Sequence, residues 1–251
     1  MKLTKVATSR PGPKPKVIKE TSKPAKSKII VSIDYGTTYS GKCQAYTAYS
    51  RLIITGVAFV MSVNSDARDI QVVTDWTGGV RKNVQLEKVP SKYAYARENE
   101  GLEEDKWGYE VEPWMKSYTW TKLLLDASAA QTRFDNPHLQ SQVGNGLLET
   151  PSGATAIGVA SDYLSRVYEH TMDRLAKVYS KEMLKITPVE FWFTVPASWQ
   201  DEANNATREA AEAAGFASRK DDELYMISEP EAAAMAILTE AIDKNPGLYK
   251  V

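Results

Sequence analysis

Ile29-Ile30-Val31-Ser32-Ile33-Asp34-Tyr35-Gly36-Thr37-Thr38-Tyr39-Ser40-Gly41 is an apolar stretch that runs into an acid, a glycine and two threonines. Ile29, Val31, Ile33 and Tyr35 alternate with Ile30, Ser32 and Asp34, which predicts a strand with two buried faces near its end. Such a strand fixes the Asp34 carboxylate at its carboxyl end. Gly36 has no Cβ, so backbone N–H groups there can approach an anion closely. The Thr37 and Thr38 hydroxyls add short donors on a tight turn. Asp34 is suited to magnesium held through the ion's water shell, because magnesium gives up water reluctantly. Taken alone, the same residues also describe an ordinary hairpin turn after a core strand.

Two further segments add weight to the phosphate reading. One is Phe191-Trp192-Phe193-Thr194-Val195-Pro196-Ala197-Ser198-Trp199-Gln200-Asp201, running into the alanine-rich stretch that follows. The other is Ile227-Ser228-Glu229-Pro230-Glu231-Ala232-Ala233-Ala234-Met235-Ala236. In order and spacing the three segments resemble the nucleotide-binding domain of the seventy-kilodalton heat-shock chaperone family, within the actin-like ATPase superfamily. The resemblance covers residues 29–251, with a weak middle. It implies an α/β fold, an actin-like (ribonuclease H-like) half-domain with a mixed five-stranded sheet, helices and a small outer subdomain.

Composition sets the bounds. The chain has 251 residues, one cysteine (Cys43) and two histidines (His138 and His170). One cysteine excludes an internal disulfide framework, and two histidines are too few for a histidine-based metal site or a relay triad; both histidines are expected at the surface. No apolar run is long enough to span a bilayer, and the N-terminus lacks the apolar core of a signal peptide, so a cytoplasmic protein is expected. Residues 1–28 carry nine basic residues against Glu20 alone, a charge of +8, which leaves −9 on the rest of a chain whose total is −1. This proline-containing basic segment cannot bury enough surface to fold and is expected to be disordered. It reads as a solvated tail or as a nuclear-import or polyanion-binding arm. The acidic body argues against a nucleic-acid surface on the folded part.

The pattern along the chain predicts strands at 29–35, 57–63 and 70–74, joined by turns as an antiparallel meander. Residues 75–150 are less regular and correspond to the outer subdomain of the family, with extended pieces at 89–95 and 107–111 and a short helix at 120–126. Trp107, Trp114 and Trp120 are expected to form that subdomain's own core, with an exposed binding patch as the alternative. Helical periodicity begins at Ala154, with Ile157, Leu164, Val167, Leu175 and Val178 on one face. Pro188 opens a strand on which Val189, Phe191, Phe193 and Val195 face one way. A helix over 202–214 is stopped by Gly215. A strand at 224–227 leads into a helix that starts at Glu229-Pro230.

The resemblance assigns roles residue by residue. Gly36, Thr37, Thr38 and Tyr39 match the first phosphate loop and would hold the β- and γ-phosphates of ATP, with Asp34 facing the water shell of magnesium. Glu229 matches the acid that positions the metal shell or the attacking water, and is the candidate catalytic residue; a carboxylate at a helix N-terminus is favourable in any protein. Pro196 matches the proline that links nucleotide state to the substrate domain, and Asp201 an acid on the following turn. Asn204 stands where the family usually has an arginine that relays this switch. The lysine that the family places near the transferred phosphate has no assigned counterpart.

The second phosphate loop and the adenosine-binding segment are not found in this sequence, so weak ATP binding and little or no hydrolysis are expected of this chain by itself. Residues 42–56 separate Gly41 from Val57, where the family's hairpin is continuous. Gly-Lys-Cys can be encoded with a GTAAG splice donor, and Arg51 to Gly56 with a branch site and an ACAG acceptor. Residues 42–56 therefore read as a short retained intron or as a hairpin-loop insertion. The expected function is that of an ATP-binding, chaperone-like ATPase, with client or co-chaperone proteins as partners. The alternatives are a sugar or acid kinase of the same superfamily and a non-catalytic interaction protein.

Overall fold

The computed structural model describes residues 27–36, 54–63, 66–67, 69–79, 86–126 and 148–244. Thr37, Thr38, Tyr39, Cys43, His138, residues 1–26 and most of 42–56 lie outside these. Strand β1 (Lys28–Tyr35) is the centre of the main sheet. On one side it pairs antiparallel with β2 (Ile54–Val63), and on the other parallel with β9 (Val189–Val195), which in turn pairs parallel with β10 (Glu223–Ser228). The outer edge of β2 is tiled by three short segments, β3 (Asp66–Ala67), β4 (Gln71–Val72) and β5 (Lys88–Pro90). The mixed sheet is thus five positions wide, with the fifth filled piecewise.

One face of β1 is fully buried through Ile29, Val31, Ile33 and Tyr35, and β9 buries Val189, Phe191, Phe193 and Val195 on the same side. Helices α1 (Ala156–Tyr179) and α3 (Asp201–Ala213) pack against each other here. Helix α1 brings Val159, Ala160, Tyr163, Leu164, Val167 and Leu175 into the core, and Phe216 packs edge-on against Phe191 and Phe193. Each such aliphatic or aromatic burial contributes about 1.5–3 kcal/mol relative to exposure. The other face of β1 is only partly covered among the described residues, and Ser32 is exposed, so the expectation of two buried faces holds for one.

Helix ends follow from local chemistry. Thr155 caps α1 by accepting from the Gly158 N–H at 3.0 Å. A short helix the periodicity did not single out, α2 (Lys181–Ile186), is capped by Ser180. Arg219 then ties its end to the sheet, donating to the Leu184 and Thr187 carbonyls and to buried Asp222, which also accepts from the Val189 N–H. Gly215, at φ +105, ends α3 where a side chain would press on the Tyr168 ring. Helix α4 (Glu229–Lys244) starts with a reciprocal cap: Ser228 Oγ accepts from the Glu231 N–H while Glu231 Oε2 accepts from the Ser228 N–H and hydroxyl.

The outer region holds a small sheet in the order β7 (Lys106–Trp107), β6 (Lys92–Ala94), β8 (Tyr118–Thr119). The expected tryptophan core is corrected. Trp107 is buried, but Trp114 is 65% exposed and Trp120 lies at the left-handed start of a 3-10 turn. The aromatic partners of Trp107 are instead Trp76, Tyr163 and His170. His170, expected at the surface, has a side chain only 15% exposed and stacks on Trp76. Both errors share a cause: α1 passes beneath the outer region, and its residues supply the packing that tryptophan spacing suggested was internal.

Candidate functional site

Strands β1, β9 and β10 are parallel, so their carboxyl ends open on one edge of the sheet. In an α/β sheet this is the edge where ligands gather. The chain leaves β1 at Asp34-Tyr35-Gly36, β9 at Thr194-Val195-Pro196, and β10 at Ser228-Glu229. Three segments far apart in sequence are collected by strand register alone, with Ile33 beside Phe193 and Val195 beside Ser228.

Asp34 is held from two sides. Its Oδ1 accepts from the Thr194 hydroxyl at 3.1 Å, and its Oδ2 accepts from Lys88 Nζ at 3.0 Å. Gly36 follows β1 directly, whereas Thr37, Thr38 and Tyr39 lie outside the described residues. Glu229 is the first residue of α4 and is half-exposed, with Oε1 3.7 Å from Lys122 Nζ. Pro196 follows β9, and its carbonyl accepts from the Trp199 N–H at 3.1 Å, a turn that precedes Asp201 at the start of α3. Asp201 is exposed. Asn204 donates its N–H to the Gln200 carbonyl, and its buried Oδ1 has no hydrogen-bond partner.

Lys122 is the residue that sequence reasoning missed. It sits in the 3-10 turn Thr121–Leu125, introduced by Trp120 at φ 64, a backbone state that costs a bulky residue about 1–2 kcal/mol. The side chain is 1% exposed and its ammonium has no hydrogen-bond partner. Around it stand the rings of Trp199 at 5.3 Å and Tyr35 at 5.8 Å. Tyr35 is itself locked, its hydroxyl bonded to Thr121 Oγ1 at 3.1 Å and its pKa pushed up to about 12 by burial. Burial pushes the Lys122 pKa down, while Glu229 and Asp34 pull it back. A lone lysine inside Trp120-Thr121-Lys122-Leu123-Leu124-Leu125 was the available signal: a charge placed where an amphipathic turn should be apolar.

A buried ammonium that lacks a hydrogen-bonding acceptor, with its ion-pair partner Glu229 at 3.7 Å, is suited to an anion that could accept from it. The two carboxylates whose charge acts on it, Asp34 and Glu229, suit the water shell of a hard divalent cation. The donor set therefore fits a phosphate with magnesium. Among the described residues no group of three or more histidine, cysteine or acidic side chains is placed to hold a metal ion directly. No described helix is long and apolar enough to cross a membrane.

No family model matches the chain. Human heat shock 70 kDa protein 12B is similar to it, 27% identical over 240 residues. The match takes in 91% of this chain and 30% of that protein, so the chain spans less than a third of the length of the relative. At this identity the likeness supports a distant heat-shock-70-like relationship, carried by a mixed α/β architecture.

Proposed function

We propose that this chain supplies the phosphate side of an ATP site in a chaperone-like ATPase of the actin-like superfamily. The observation that carries the reading is the buried Lys122 ammonium, without a hydrogen-bond partner, at the edge where β1, β9 and β10 end. Lys122 would take the charge of a phosphate oxygen. Glu229, half-exposed beside it, would orient a water molecule or the water shell of the metal. Asp34 would face the same shell from the end of β1, and Gly36, Thr37, Thr38 and Tyr39 are assigned to the phosphates by the resemblance of their sequence to the first phosphate loop. Magnesium, when bound, would neutralise charge on the phosphate oxygens. Phosphoryl transfer to water asks a protein chiefly for such positioning and charge.

Trp199 gives the site a route outward. Its ring borders the Lys122 ammonium, and its backbone is tied to Pro196. A phosphate drawn to Lys122 would thus be felt along the Pro196–Asp201 turn and at the start of α3. The distant heat-shock relationship supports client or co-chaperone proteins as the eventual partners.

The test uses the six tryptophan indoles as nitrogen-15 reporters. Titration with ATP and magnesium should shift the Trp199 signal. For the phosphate contacts proposed here, a dissociation constant on the order of 0.1–1 mM is expected. Lys122→Met should weaken it at least about tenfold, the loss of one charge-assisted contact. A Trp199 signal that ignores ATP, or one that shifts equally in the variant, overturns the reading. Transfer of the phosphate to a sugar or small acid would move the assignment to a kinase.

A further inference from the structure

The register of three neighbouring strands sets Asp34 opposite Gly56 and Gly56 opposite Lys88. The outer two backbones in such a row are about 10 Å apart. Lys88 crosses that gap over the bare Cα of Gly56, where a methyl group would lie 3.5 Å from Lys88 Cγ and 3.6 Å from Cε. Its Nζ ends 3.0 Å from Asp34 Oδ2. The base of Lys88 is fixed as well, since its carbonyl accepts from the Tyr109 hydroxyl at 2.7 Å. Thr194 holds the other oxygen of Asp34, so both carboxylate oxygens already have protein partners. Beside the pair lies a shallow hollow of about 160 Å³ lined by Ser32, Ala58, Val72 and Glu87 together with Asp34 and Lys88.

Resting on the phosphate-and-metal reading above, we infer that Lys88 is a tethered cation on the metal-side carboxylate, and that it sets the affinity of the site for divalent ions. The side chains of Lys88 and Asp34 are 46% and 43% exposed, so the pair is weak enough for a metal to displace. In the metal-free protein the ammonium neutralises Asp34, which would otherwise repel an arriving phosphate. When a divalent ion takes up its place, Lys88 swings into the open hollow. Lys88 is a positioning residue in this scheme: it acts on the metal through Asp34.

The experiment titrates the full chain with manganese in millimolar inorganic phosphate and reads paramagnetic broadening of the Ile33 and Phe193 amides. Lys88→Met and Lys88→Gln should bind manganese about three- to fivefold more tightly than the wild type, the range of one exposed ion pair. Lys88→Arg, which restores a cation, should return the affinity to the wild-type value. Asp34→Asn should abolish the broadening. Equal or weaker affinity in Lys88→Met, with broadening still lost in Asp34→Asn, overturns the role of Lys88 and leaves the site standing. No Asp34-dependent broadening in any chain overturns both.

Discussion

At the scale of single residues, Lys122 and His170 show the same physics with opposite consequences. Each is a titratable group taken out of water. Lys122 is pushed toward the neutral form by burial, with Glu229 and Asp34 opposing that push, and its ammonium is the group assigned to phosphate in the proposed site. His170 has no such use in the site: its Nε2 is buried without a hydrogen bond, 3.9 Å from Asp75 Oδ1. Burial pushes its pKa below the ordinary 6.5, with Asp75 as a partial offset. The sign follows directly. As pH falls below 6.5 the unfolded chain takes up a proton that the folded chain resists, so stability falls through that window and down to the native pKa. Wild-type protein should therefore lose more stability between pH 7 and pH 5 than His170→Phe, whose ring can keep the stack on Trp76. Urea unfolding at the two pH values measures this, and parallel losses in the two proteins would refute it. The burial of His170 had no local signal in the sequence and that of Lys122 only the apolar run around it, because both depend on which residues another element lays over them.

At the scale of elements, the β1–β2 hairpin carries the main open question. Strand β2 begins at Ile54, so the end of the 42–56 segment lies in the sheet: Thr55 and Gly56 pair with both β1 and β5, and Ile54 pairs with β5. Removing residues 42–56 would join Gly41 to Val57 and bring Tyr39-Ser40-Gly41 to the register positions of Ile54-Thr55-Gly56. A glycine would again stand between Asp34 and Lys88, so the crossing of Lys88 over the strand would survive. A chain deleted for Lys42 to Gly56 should unfold cooperatively and be more stable by about 1 kcal/mol, from the shorter loop to close. Loss of cooperative unfolding would show that the segment is needed for the fold. Spliced transcripts that still encode Lys42 to Gly56 would end the intron reading independently.

At the scale of the whole molecule, charge is divided sharply between a segment of +8 over residues 1–28 and a remainder of −9. The described core starts at Ile29, on β1. Removing residues 1–26 should leave the thermal midpoint within about 2 °C at physiological salt, because attraction between exposed charges is largely screened beyond about 8 Å. A loss of 5 °C or more on calorimetry would place that segment in the stability of the body. The same division bears on partners, since the acidic remainder carries the candidate phosphate site. In the proposed site, Lys88 and Lys122 supply the local positive charge that an anion would need.

The sequence by itself determined the elements and their order. Two-residue alternation at 29–35 and 189–195, helical steps from Ala154, Gly215 as a stop and Glu229-Pro230 as a start are all local signals, set by backbone geometry within a few residues. From them came the mixed sheet and the edge to which Asp34, Pro196 and Glu229 belong. Only the tertiary structure decided what meets at that edge. Lys122 and Trp199 reach the site by packing, Thr194 and Lys88 reach Asp34 by strand register, and Trp107 finds its partners on α1. Those contacts join residues tens of positions apart, and no local pattern encodes a distance that folding itself creates.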